Sequence, residues 1–164
     1  MANAFNQQSL FSFDHTIYWP EKYEPVVQFL QNGSGSTSNH SSLYKYNVHV
    51  IVLAACIGLK HKNTQDISSK EKKEISIVTF HNYSLSVYLF LIPLLSNKNL
   101  NLDLFKDEEG EKKAISIFEK YVAGGLEILH DFYEKKYLET PLTFVQDLIR
   151  PHNDGIQDLD FDMS

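Results

Sequence analysis

His130 and Asp131 are adjacent in the chain, the pairing that opens the ligand set of two-metal phosphohydrolases. Such a site needs several converging ligands, because two cations must each be neutralised and held. A further histidine upstream and an aspartate downstream are required, and the chain offers His81 and Asp154. His81 follows a strand-like segment and Asp154 lies in an acidic tail, so the pair reads first as a polar flank of a helix stripe. Cys56 is the single cysteine, and it sits in an all-apolar run where burial keeps a thiol protonated and inert. One cysteine excludes both an intrachain disulfide and a cysteine-based zinc site. The seven histidines, at 15, 40, 49, 61, 81, 130 and 152, include no i,i+4 pair that could grip a metal from one helix face. Walker-type and Rossmann-type glycine loops are absent. The residues therefore give no catalytic site, no metal site and no cofactor, and the expectation is a protein that is not an enzyme.

Anion attraction is the other chemistry on offer. KHKNTQDISSKEKK (60–73) holds Lys60, Lys62, Lys70, Lys72 and Lys73 against only Asp66 and Glu71. These lysines are the DNA-contact candidates, though a small basic patch gives weak, salt-sensitive attraction. The whole chain is acidic, with 15 Lys+Arg against 21 Asp+Glu and a formal charge of −6. Arg150 is the only arginine, which argues against a general nucleic-acid coat or an arginine-based phosphate reader. Without the tail aspartates Asp154, Asp158, Asp160 and Asp162, the remaining charge falls to −2. That tail alternates acids with Ile156, Leu159 and Phe161, a pattern shared by solubilising ends and docking peptides.

The elements that must carry these residues follow from hydrophobic spacing. With 164 residues, 43% of them apolar, the chain has the material for one packed domain. Residues 1–15 read as a loose arm or as a segment that packs late, 16–151 as a single helical domain and 152–164 as the tail. Trp19, Tyr23, Val26, Val27 and Leu30 mark a first helix starting at Pro20 or, because of Pro25, somewhat later. A Gly/Ser-rich loop covers 31–42. A second helix over 43–57 is apolar on most sides, with Ser42 as its cap and Gly58 closing it in the left-handed conformation. EISIVTF (74–80) alternates and is β-branched, so it reads as a strand, with a partner available only around 11–18. A helix capped near Ser84 then runs through Val87, Leu91 and Leu94 or Leu95, and a loop follows over 96–105. Over 107–137, Ile115, Phe118, Val122, Gly125, Leu129 and Phe132 recur at steps of three and four. Gly124 and Gly125 sit on or beside this stripe, where glycine costs a helix about 1 kcal/mol each relative to alanine. Their presence implies a close backbone approach or a kink. Close packing within the monomer and a docking seam for a second subunit both fit, and Gly124, Gly125, Phe118 and Tyr121 are the interface candidates. Thr140 and Pro141 open a last short helix through Leu142, Val145, Leu148 and Ile149. The fold class is mostly α with an α+β character: about five helices and one or two short strands. No apolar segment reaches the length of a bilayer span, and residues 1–13 lack the basic start and long apolar run of a secretory signal, so a cytoplasmic setting is expected.

Three segments together resemble a known family. They are WPEKYEPVVQFL (19–30), NVHVIVLAACIGLKHK (47–62) and, most specifically, IFEKYVAGGLEIL (117–129). In this order, over roughly 19–151, they are similar to DNA phosphorothioation-associated protein 4, a Dnd-system-associated family. The resemblance implies a small bacterial protein encoded beside DNA modification and restriction genes that act against phage. It transfers no catalytic residues. Relatives carry arginines after the glycine of the second helix, where this chain has Lys60, His61 and Lys62, less suited to bidentate phosphate contacts. The expected role is a non-catalytic accessory subunit of an anti-phage defence system. It would work by contact with other protein subunits of a defence complex, with weak DNA contacts and oligomerisation open to it. The rival readings are a sequence-specific DNA-binding regulator and a metal-dependent nuclease or phosphohydrolase.

Overall fold

The computed structural model describes residues 11–32, 44–96, 105–135, 143, 145–146 and 149–150. The order is β1 (Thr16–Pro20), a 3-10 turn (Glu21–Tyr23), α1 (Glu24–Asn32), α2 (Asn47–His61), β2 (Lys72–Ser76), α3 (Ile77–Asn82), α4 (Ser86–Ser96) and α5 (Glu108–Lys135). The chain is thus mostly helical, with one two-stranded antiparallel sheet in which Thr16 pairs with Ser76 and Pro20 with Lys72. Thr143, Val145, Gln146 and Ile149 are helical as well. The largest contact between elements is α2 against α5, and α1, α4 and the sheet gather around that pair.

α5 forms as its spacing implies. Ile115, Phe118, Val122, Gly125 and Leu129 are all buried and Phe132 is half-buried. Its N-terminus carries Glu108, Glu109 and Glu111 in the first turn, where carboxylates face the positive end of the helix dipole. α2 is buried along most of its length, as an all-round apolar helix must be.

Four expectations are corrected. The chain around Trp19 is β1 rather than a helix opening at Pro20. Pro25 becomes the second residue of α1, a position where its missing N–H leaves no bond unmade. The strand expected over 74–80 stops at Ser76, whose Oγ accepts from the Val78 amide and caps α3. One further bond in register follows, from the Ile77 amide to the His15 carbonyl, and the His15 side chain turns to α5. Gly58 does not close α2. The helix continues through Lys60 and His61, and Lys62 takes the left-handed position at φ 53°. α2 itself begins at Asn47, later than the residue-43 start, while Ser42 and 33–43 lie outside the described residues. Residues 11–15 are packed, with Phe11 and His15 both buried, which is the second of the two readings for the N-terminal segment. The loop over 96–105 and the acidic tail lie almost wholly or wholly outside the described residues.

Candidate functional site

The glycines explain why α2 and α5 lie so close. A Cβ on Gly125 would stand 1.7 Å from the Ala54 carbonyl oxygen of α2, and one on Gly58 would stand 2.1 Å from the Tyr121 oxygen of α5. The two helices therefore meet backbone to backbone, each supplying a glycine. A Cβ on Gly124 would meet the Asn63 carbonyl oxygen at 2.1 Å. Asn63 in turn donates from its side chain to the Gly124 carbonyl at 3.0 Å and to Glu127 at 2.9 Å. Phe118 is fully buried and meets Phe80 edge to face at 5.9 Å, and Tyr121 is half-buried against the core. The seam is consumed inside the chain. Gly124, Gly125 and Phe118 present no surface to a second subunit.

The lysine turn divides in two. Lys73 pairs with Glu24, and the Lys72 ammonium lies 3.4 Å from the centroid of the Tyr18 ring, so both serve the sheet. Lys60, Lys62 and Lys70 are exposed, as is Lys72 for all its contact with Tyr18. Lys60 also sits in the last turn of α2, where a cation complements the helix dipole. The loop between α2 and β2 is pinned rather than free: the Gln65 amide donates to Lys120, the Gln65 side chain to Glu127, and Lys120 pairs with Asp66 at 2.8 Å. A cleft of about 210 Å³ lies under this loop, lined by Lys22, Tyr23, Gln65, Asp66 and Glu71 among others, with two carboxylates and one ammonium.

His130 faces Glu134 at 3.6 Å and packs 5.5 Å from the Tyr23 ring, while Asp131 is exposed. His81 lies on α3, and Asp154 is outside the described residues. Among the described residues, no group of three or more His, Cys, Asp and Glu side chains is placed to hold a metal ion. Cys56 is half-buried, and that burial pushes its thiol up, away from the thiolate a nucleophile needs.

The most deeply set charged side chain escaped the sequence reading. Glu111 is 1% exposed and accepts from the Ser12 amide at 2.8 Å, the Phe13 amide at 3.2 Å and His15 Nε2 at 2.8 Å. Its position was legible, because 111 extends the 115–118–122 stripe one turn toward the N-terminus. An acid on a core stripe needs buried donors, and the N-terminal segment supplies them. Glu119 is a second such anchor, taking the Tyr18 amide at 2.7 Å, with burial pushing its carboxyl up.

α4 shows the opposite behaviour. Leu89 and Ile92 are buried, while Val87 is 42%, Leu91 40% and Leu95 64% exposed. Of the residues named along this helix from the sequence, Leu94 is buried and Val87, Leu91 and Leu95 point outward. α4 is apolar on every side and carries no charge, so periodicity could not choose its inner face.

The family model described as DNA sulphur modification system-associated protein 4 matches residues 17–164. The chain belongs to that family. No curated protein and no solved structure matches it. Membership ties this protein to a DNA sulphur modification system and agrees with the segments at 19–30, 47–62 and 117–129 that carry the resemblance. In this chain Gly125 is where α5 accepts α2, and Gly124 is where it accepts the loop that follows α2. Among the described residues, no helix of this family member is long and apolar enough to cross a membrane.

Proposed function

We propose that this protein is a non-catalytic accessory subunit of a bacterial anti-phage DNA sulphur modification and restriction system, working through contact with the system's enzymatic subunits. One observation carries the reading: the outward stripe of Val87, Leu91 and Leu95 on α4. A helix of 11 residues without a single charge, leaving three large aliphatic side chains in water, is a surface suited to an apolar protein partner. The remaining polar machinery supports the same role. Glu111, Glu119, Asn63 and Glu127 are all engaged in holding segments onto α5, which makes the body rigid enough to present that face. The exposed Lys60, Lys62 and Lys70 add at most a salt-sensitive attraction to DNA.

Co-expression with the modification and restriction enzymes of the same system tests this. The expected result is co-purification with one of them, lost in Leu91→Asp while the thermal melt of the variant alone stays unchanged. Retention of the complex by Leu91→Asp overturns the assignment of the face. Metal-dependent cleavage of DNA by the purified chain, abolished in His130→Ala, overturns the non-catalytic role.

A further inference from the structure

A second surface, independent of the outward face of α4, lies where the start of α2 meets the turn between α3 and α4. Five side chains gather there. The Tyr46 and Tyr83 rings are 4.5 Å apart and tilted by 37°. The His49 ring stands 5.5 Å from Tyr83. Tyr44 and Tyr46 hold their ring planes within 14° and 25° of His49, at 6.3 and 6.1 Å. The Lys45 ammonium is 5.1 Å from the Tyr46 ring centroid. This is not a core cluster. Tyr83 is 37% exposed, Lys45 is exposed, and the other three rings are only half-buried. The buried Nδ1 of His49 has no hydrogen-bond partner, so the ring is held by its aromatic neighbours.

Three further features give the cluster a ligand preference. The first is charge. On a chain with 21 acids, residues 31–65 and 75–102 contain no Asp or Glu, and these stretches supply all five side chains. The second is the field of α2, whose first turn has no acidic residue and whose N-cap, Tyr46, makes no side-chain capping bond. The positive end of a 15-residue helix thus adds to Lys45. The third is rigidity. Ser84 is held at φ 58°, and the turn is tied by Tyr83 N–H to Thr79, Ser84 N–H to His81 and Leu85 N–H to Phe80. Backbone held in that region stores strain, which persists only where surrounding bonds fix it. Tyr83 is therefore presented in a fixed pose.

We propose that Tyr44, Lys45, Tyr46, His49 and Tyr83 form a binding patch for single-stranded nucleic acid, with an unpaired base stacking on the exposed Tyr83 ring and its phosphate drawn to Lys45. Aromatic faces beside a cation, without a helix of base-reading side chains, suit bases in a sequence-tolerant way. A duplex hides those base faces, so it gains only the phosphate attraction.

Fluorescence anisotropy on the full-length chain tests the patch, using labelled oligo-dT and oligo-rU of about 12 nucleotides and a duplex of equal length. At low salt, one or both single strands bind more tightly than the duplex, and the two single-strand arms decide between DNA and RNA. Tyr83→Ala weakens binding by roughly tenfold or more, as expected for loss of one base–aromatic stack, while Tyr83→Phe retains it. Lys45→Gln weakens binding at low salt and flattens the salt dependence. Leu91→Asp leaves binding intact, which separates this patch from the α4 face. Failure of both single strands to bind, equal affinity for the duplex, or a folded Tyr83→Ala that binds like the parent overturns the proposal.

Discussion

Gly125 shows how far a single residue can reverse a propensity argument. In a solvent-exposed helix, glycine-to-alanine gains about 1 kcal/mol. Here the new methyl would lie 1.7 Å from the Ala54 carbonyl oxygen, and that atom belongs to backbone that cannot rotate away. Gly125→Ala must therefore push α2 off α5, and urea unfolding is expected to show a loss of about 3 kcal/mol or more, at the upper end of overpacking. Glu119 supplies a pH prediction. Burial raises its carboxyl above the ordinary range, against the lowering pull of the Tyr18 amide and Lys72. The folded state thus binds the proton more tightly than the unfolded chain, and stability falls as the pH rises past about 4.3, the ordinary glutamate value. The loss is complete once the pH exceeds the folded value. Glu119→Gln keeps an oxygen for the Tyr18 amide and removes the titration. Unfolding midpoints at pH 4, 5.5 and 7 are expected to separate progressively, with the variant gaining on the parent as the pH rises; parallel curves would contradict the assignment. Both residues were only partly legible in the sequence. The glycine pair announced a close approach because it defied propensity, but which backbone approached it required the fold.

At the scale of elements, legibility followed periodicity. α5 was readable residue by residue because its apolar stripe runs 3, 4, 3, 4 against a polar background, and the structure buries that stripe. α2 was readable as a covered helix but not at its ends. Gly58 looks like a terminator in sequence, whereas its missing Cβ serves the packing seam, and Lys62 adopts the left-handed cap instead. EISIVTF fails for a different reason. Alternation continues through Phe80, yet the pairing goes no further than the Ile77 amide's bond to the His15 carbonyl, and Ser76 gives the backbone a helical alternative. Ser76→Ala removes the Oγ that accepts from the Val78 amide, and a loss of about 1 kcal/mol in urea unfolding is expected, as for other N-caps. A much smaller value would mean that α3 is held by the burial of Ile77 and Phe80 alone. α4 was readable as a helix but not for its inner face, because a helix with no polar side has no period to read. Its inner face is chosen by what α5 and α2 leave uncovered, and that is tertiary information. The DNA-contact lysines divide at this scale too. Lys72 and Lys73 were recruited by the sheet because β2 places them beside Tyr18 and Glu24, and no local pattern announces a cross-strand partner.

Over the whole molecule, the N-terminal segment is the strap that joins the sheet to α5. Phe11 packs edge-on to Phe105 at 5.9 Å and to His15 at 6.3 Å, and three donors from Ser12, Phe13 and His15 converge on Glu111. The arrangement is reciprocal. The strap has no helix or ladder of its own before Thr16, so Glu111 satisfies its amides, and Glu111 can remain 1% exposed only because the strap supplies those donors. Removing residues 1–15 would leave the carboxylate buried without its partners or force water onto it. An unpartnered buried charge costs about 3–5 kcal/mol, and the truncated chain is expected to melt well below the full one. A second substitution separates this cause from the simple loss of Phe11 packing. In the truncated chain, Glu111→Met removes the stranded charge and should restore part of the stability. In the full-length chain, the same change orphans the Ser12 and Phe13 amides and His15, and should lower stability by about 1–3 kcal/mol. Opposite signs in the two backgrounds are the expected outcome of the paired melts. If Glu111→Met lowers stability in both, the strap is held by its aromatic contacts and the carboxylate is incidental to it.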